Sequence, residues 1–132
     1  MIKYEKTAER YYEMKKILIV DDNRLNIIAA KNVLNDIYSV SSVTSGEQAL
    51  EFLNSESCDL ILLDINMPDM DGFEVFEKLR ISDSVKDIPV IFLTADNDAN
   101  TETHCFDCGA IDFIAKPFVP AVMRSRISRV LE

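Results

Sequence analysis

Three observations along this chain predict an α/β fold, a parallel sheet covered by helices on both faces. First, short apolar runs rich in branched residues recur, among them Ile17-Leu-Ile-Val20, Leu60-Ile-Leu-Leu63 and Pro89-Val-Ile-Phe-Leu93. Runs that are apolar throughout, rather than alternating, are what strands buried on both faces require. Second, the stretches between them carry apolar residues at helical spacing. Third, five segments of each kind alternate strictly, as right-handed crossover units do.

Each element has its own local warrant. After the first strand, Leu25, Ile28, Ala29 and Val33 recur at helical spacing as one apolar stripe. Tyr38 to Val43 reads as the second strand, and Ser45-Gly46-Glu47-Gln48 fits a capping box opening a helix through Ala49, Leu50 and Phe52. The third strand, Leu60 to Leu63, ends directly on Asp64. Asn66-Met-Pro-Asp-Met-Asp-Gly72 is a loop by its Pro, Gly and Asp content, and Phe73, Phe76, Leu79 and Arg80 mark a third helix. Pro89 is acceptable as the first residue of the fourth strand, which ends on Thr94. A weaker helix over Asn100 to Cys108 stops at Gly109. Ile111 to Ala115 is the fifth strand, Lys116-Pro117 breaks it, and Val119 to Leu131 forms the last helix.

A chain of 132 residues suits one domain, expected over residues 15–132. Residues 1–14 are an N-terminal extension, either a frayed tail or a short amphipathic helix with Tyr4, Ala8, Tyr11 and Tyr12 on one face. With 48% apolar and 28% charged residues, the composition is that of a globular protein. No apolar run approaches the ~18 residues that span a bilayer, and Met-Ile-Lys-Tyr-Glu-Lys is not a secretory signal, so a cytoplasmic location without a membrane partner is expected. The net charge of -9 is unfavourable for gripping a phosphate backbone, which argues against direct nucleic-acid binding by this domain. Cys58, Cys105 and Cys108 are expected to be free thiols. His104, Cys105 and Cys108 lack a zinc site's fourth ligand, and a Cys-x-x-Cys pair before Gly109 sits at the wrong end of a helix for redox work.

In an open α/β sheet, ligands bind at the carboxyl ends of the strands, near the point where strand order reverses. The first strand ends on Asp21-Asp22, the third on Asp64, the fourth on Thr94, and the fifth just before Lys116. Any one of these has an ordinary reading as a cap or turn residue. Their convergence does not, because like charges near 5 Å repel by about 3 kcal/mol per pair at an effective dielectric of 20. Lys116 offsets one charge, and a hard divalent cation with oxygen ligands accounts for the rest, with Mg2+ favoured over calcium where ligation is sparse. Such a site suits phosphoryl transfer to a carboxylate, with a hydroxyl and an ammonium holding the remaining oxygens.

Four segments stand in order at characteristic separations: Ile-Leu-Ile-Val-Asp21-Asp22-Asn, Leu-Ile-Leu-Leu-Asp64-Ile-Asn66-Met-Pro68-Asp-Met-Asp-Gly72, Ile-Phe-Leu-Thr94-Ala95, and Gly-Ala-Ile-Asp-Phe113-Ile-Ala-Lys116-Pro117-Phe. On these, residues 16–131 resemble the receiver domain of two-component response regulators. The resemblance implies a flavodoxin-like, three-layer α/β/α fold with five helices, strand order 2-1-3-4-5 and a cis Lys116–Pro117 bond. It implies that Asp64 is the phosphoryl acceptor and that Asp22 is a direct magnesium ligand. It also implies that Asp21 is a metal partner often acting through water and that Asn66 ligates through its backbone carbonyl. Thr94, Lys116 and the backbone N–H of Ala95 would hold phosphoryl oxygens, with Phe113 the aromatic that swings inward on activation. By the same resemblance, Asn66 and Asp96 would occupy places that in the family influence the phosphoryl lifetime.

The partners implied are a sensor histidine kinase or phosphotransfer protein as donor, an output domain or effector as listener, and a phosphorylation-dependent homodimer. The segment Val119 to Glu132 resembles receivers that precede cyclic-dinucleotide or kinase output modules. The chain is expected to be a phosphoacceptor rather than a turnover enzyme. A haloacid-dehalogenase-type phosphatase would need an acid at position 66, where Asn66 stands, together with a cap domain. A flavodoxin-like electron carrier would need a Ser/Thr/Gly-rich loop after the first strand. A receiver-like module that has lost phosphorylation would lack an acid or the lysine, and none is missing.

Overall fold

The computed structural model describes residues 14–95 and 99–132. Among them are five strands: β1 (Lys16–Val20), β2 (Ser39–Val43), β3 (Leu60–Asp64), β4 (Val90–Thr94) and β5 (Asp112–Ala115). They alternate with five helices: α1 (Arg24–Leu34), α2 (Gly46–Ser55), α3 (Gly72–Arg80), α4 (Ala99–Asp107) and α5 (Pro120–Leu131). The strands form one parallel sheet in the order β2-β1-β3-β4-β5, as the resemblance implies.

Successive side chains of a strand point to opposite faces, so one sheet builds two cores. On one face Leu18, Val20, Ile61, Leu63, Val90 and Phe92 meet Ala49 and Leu53 of α2 and Val75, Phe76 and Leu79 of α3. On the other, Ile17, Ile19, Leu60, Leu62, Ile91, Leu93 and Ile114 meet Ile27, Ala30 and Leu34 of α1 and Met123 and Ile127 of α5. Every residue of β3 and β4 is buried, which explains why those runs contain no polar residue until their last position. Burying each such Leu or Ile contributes about 2 kcal/mol.

The buried face of α1 differs from the expected stripe. Ile27, Ala30 and Leu34 face the core, while Leu25 is 75% and Ile28 54% exposed. Seven of the eleven residues of this helix are apolar, so its periodicity fits more than one phase. The direction in which the chain leaves β1 then decides which face turns inward.

The helix ends follow local chemistry. Ser45 caps α2 by accepting from Gln48 N–H at 3.1 Å, and Gln48 Oε1 reaches back to Thr44 N–H at 2.8 Å, one residue earlier than in the usual box. Gly109 ends α4 with φ 104°, a conformation that favours glycine. The Lys116–Pro117 bond is cis. Cys58 is a free thiol, and burial pushes it up to about 11, which keeps it protonated at neutral pH. Among the described residues no helix is long and apolar enough to cross a membrane. The expectations for residues 1–13, Asp96 and the side chain of Cys105 lie outside the described residues.

Candidate functional site

The strand order reverses direction between β1 and β3, so the carboxyl ends of these two neighbours form the crevice of an open α/β sheet. Asp21 follows β1 and continues the row of Ile17 and Ile19; Asp64 ends β3 and continues the row of Leu60 and Leu62. The same strand geometry that buries those apolar side chains thus delivers two carboxylates side by side. Asp21 is fully buried, Asp64 is 2% exposed, and Asp22 beside them is exposed. One carboxylate oxygen from each of Asp21, Asp22 and Asp64 lies within 4.8 Å of the others.

Lys116 enters from the end of β5 and bridges the buried pair. Its Nζ donates to Asp64 Oδ1 at 2.9 Å and lies 3.0 Å from Asp21 Oδ2. The β4–β5 edge holds it there, because Lys116 N–H donates to the carbonyl of Thr94 at 2.7 Å. Burial pulls the Lys116 ammonium down, but the two carboxylates outweigh it and hold its pKa above the ordinary lysine value. Asp64 is pushed up to about 6, first by burial and then by the charge of Asp21, against the opposing pull of Lys116 and the backbone N–H of Asn66. One ammonium does not neutralise this cluster.

The residues fit a hard cation. Asp21 Oδ2 is sealed from solvent and accepts no aligned hydrogen bond despite its ion pair with Lys116, whereas Asp21 Oδ1 accepts from Asn23 N–H at 2.9 Å. A buried carboxylate oxygen without a hydrogen bond beside two other carboxylates is an all-oxygen donor set of the kind magnesium takes.

Thr94 is fully buried at the end of β4, and Ala95 follows it at the surface. Phe113 sits one layer deeper, half-buried and paired across to Phe92. Asp21, Asp22, Asp64 and Lys116 are therefore in direct company, with Thr94 on the adjoining strand end and Phe113 behind it.

Two supporting residues were less legible. Asn23 caps α1 by accepting from Leu25 N–H at 2.9 Å while its own N–H orients Asp21; an Asn before a helix was the available signal. Gly72 lets the loop fold back under Asp64, its N–H bonding to Ile65 O at 2.8 Å. A Cβ there would stand 2.4 Å from the carbonyl oxygen of Asp64 and 2.8 Å from the Cα of Ile65. Composition marks Gly72 as a turn residue but does not reveal that close approach.

The sequence matches the response regulator receiver domain family over residues 17–128. It is 39% identical over 116 residues to a probable cyclic di-GMP phosphodiesterase of Vibrio cholerae, covering 88% of this chain but only 26% of that protein. It is 35% identical over 117 residues to a two-component response regulator of Oryza sativa subsp. japonica, covering 87% of each. In structure it resembles the receiver domain of a sensor histidine kinase from Pseudomonas aeruginosa, crystallised with a magnesium ion in the active site cleft. The TM-score is 0.80 and the identity 30%, over 89% of this chain and 97% of that one. A match over nearly the whole length, on this sheet order and these strand ends, makes the chain a member of the receiver domain family of two-component response regulators.

Proposed function

We propose that Asp64 accepts a phosphoryl group in a magnesium-dependent reaction and that the aspartyl phosphate switches the α4-β5-α5 surface. The observation that carries this reading is the Lys116 ammonium bridging Asp64 and Asp21 at 2.9 and 3.0 Å within a three-carboxylate cluster. An Oδ of Asp64 attacks phosphorus as the P–N bond of a donor phosphohistidine breaks; the imidazole nitrogen leaves with the bonding pair and takes up a proton. Asp21, Asp22, Asp64 and the main-chain carbonyl of Asn66 would hold magnesium, which when bound neutralises the phosphoryl oxygens. Lys116, already in contact with Asp64, passes to a phosphoryl oxygen, and the Thr94 hydroxyl and the Ala95 N–H take the others. Thr94 moves toward the new group and Phe113 turns into the space it leaves, a local electrostatic change biasing a two-state element.

The donor is a histidine kinase or phosphotransfer protein in the cytoplasm, and the listener is an output domain, a separate effector or a second copy of this chain. Water attack on the aspartyl phosphate resets the switch, so the chain is a phosphoacceptor rather than a turnover enzyme. Incubation with a small acyl-phosphate donor and magnesium is expected to add one phosphoryl group to the intact mass. Asp64→Asn is expected to add none; a variant that still gains the mass would overturn the assignment.

A further inference from the structure

Phe113 is gripped by side chains from two helices. The guanidinium carbon of Arg126, on α5, lies 5.2 Å from the centre of the Phe113 ring. The same guanidinium donates from Nη1 to the main-chain carbonyl of Phe113. From the other helix, the ring of Phe106 on α4 meets the Phe113 ring at 5.7 Å between centroids and 75° between planes. The N–H of Phe113 donates to Asp112 Oδ1 at 2.8 Å, and Asp112 Oδ2 in turn faces Arg129 Nη2 at 3.7 Å. Ring and backbone of one residue are therefore held by one guanidinium. Only arginine among the cations has the planar fork to cover a ring and donate sideways at once; lysine is a point charge and serves one role at a time.

We infer that Arg126 is a positioning residue that keeps Phe113 in its resting place and so sets how readily Asp64 is charged. The inference rests on the phosphoacceptor reading above. If the phosphorylated state requires Phe113 to turn inward, the contact that Arg126 makes with the resting ring must be given up on the way, while its bond to the Phe113 carbonyl, which ring rotation does not move, keeps the guanidinium beside the resting position. The inward state is then a minor population in the free chain, and apparent affinity for a phosphoryl mimic is reduced by that fraction. Weakening the grip enlarges the fraction without touching the carboxylates, Lys116 or Thr94. A residue that merely stabilised the fold would do the reverse or nothing: its loss would not improve binding at a distant site.

The test is a titration of the full chain with beryllofluoride in magnesium, followed through the aromatic NMR signals of Phe113. Arg126→Gln keeps a side chain of similar length with a donor amide but removes the cation. It is expected to move the free-state Phe113 signal toward its adduct position and to lower the half-saturating concentration by about three- to tenfold. Arg126→Lys, which keeps the charge and loses the fork, is expected to fall between that variant and the wild type. Should Arg126→Gln fail to fold, Arg126→Lys alone carries the test. Half-saturation and ring signal unchanged from the wild type in the folded variant overturn the inference, as does weaker binding. A wild type that takes up no beryllofluoride overturns the phosphoacceptor reading and this inference with it. A wild type that binds while the variants match it overturns this inference alone.

Discussion

At the amino-terminal ends of the strands, polar groups meet partners. Lys16 N–H donates to Asp59 Oδ2 at 2.7 Å, the Tyr38 hydroxyl to Glu132 Oε2 at 2.5 Å, and Arg80 Nη1 to the carbonyl of Cys108 at 3.1 Å. At the carboxyl ends partners fall short of charges: three carboxylates lie within 4.8 Å of one another, the single ammonium of Lys116 is shared between Asp21 and Asp64, and Asp64 is raised to about 6. The two ends belong to the same strands and rest on the same two cores. The difference teaches that the unfavourable electrostatics are confined to one edge, where a cation and a phosphoryl group can relieve them.

The largest contrast should come from glycines at the two ends. Gly72→Ala sets a Cβ 2.4 Å from the Asp64 carbonyl oxygen, in backbone that cannot yield without moving β3. Denaturant unfolding should show a loss of about 3 kcal/mol. Gly109→Ala, at φ 104°, brings a Cβ 2.1 Å from Arg80 Nη1, the far end of a flexible side chain. It should cost mainly the conformational penalty, about 1–2 kcal/mol, because the Arg80 bond to Cys108 that it displaces is exposed to solvent, and it should leave labelling at Asp64 intact. Equal losses for the two would break the comparison.

Next is the charge itself. Burial pushes Asp64 up to about 6 in the folded chain, against an ordinary value of 3.8. Its protonated form therefore stabilises the magnesium-free fold below about pH 4, and that contribution is lost as pH rises through about 6. In chelator at neutral pH, Asp64→Asn should unfold at a higher temperature than the wild type, by the equivalent of about 1–3 kcal/mol. Magnesium should raise the wild type more than the variant. An unchanged or lower melting temperature for the variant in chelator would show that Asp64 carries no stored repulsion.

The smallest effect belongs to the satisfied end. Tyr38 is 4% exposed, and burial together with the Glu132 carboxylate raises its hydroxyl pKa. Tyr38→Phe should cost about 1 kcal/mol by denaturant unfolding and leave phosphoryl labelling unaltered. A loss of labelling would mean that the two ends are coupled more closely than their separate contacts suggest.

Much of this was legible in the sequence because backbone rules carry it. Continuous apolar runs such as Leu60 to Leu63 specify strands buried on both faces, and a parallel sheet then aligns Asp21, Asp64, Thr94 and Lys116 on one edge. What sequence did not resolve depends on packing phase and three-dimensional proximity. Helix α1 has apolar residues on several sides, so the burial of Ile27, Ala30 and Leu34 rather than Leu25 and Ile28 follows from where the helix docks. Arg126 is thirteen residues from Phe113, and no periodicity joins them; only the return of α5 across β5 does. The direct contact of Lys116 with both acids likewise depends on side-chain reach, which spacing cannot give.

The central claim is that Asp64, among several acids at this edge, takes the phosphoryl group. Its most direct measurement is hydride reduction of the chain after exposure to an acyl-phosphate donor, followed by peptide mapping of the reduced acyl phosphate. The account predicts one modified residue, Asp64, formed in magnesium and absent in chelator. Modification at Asp21 or Asp22 instead, or equal yield without magnesium, would contradict it.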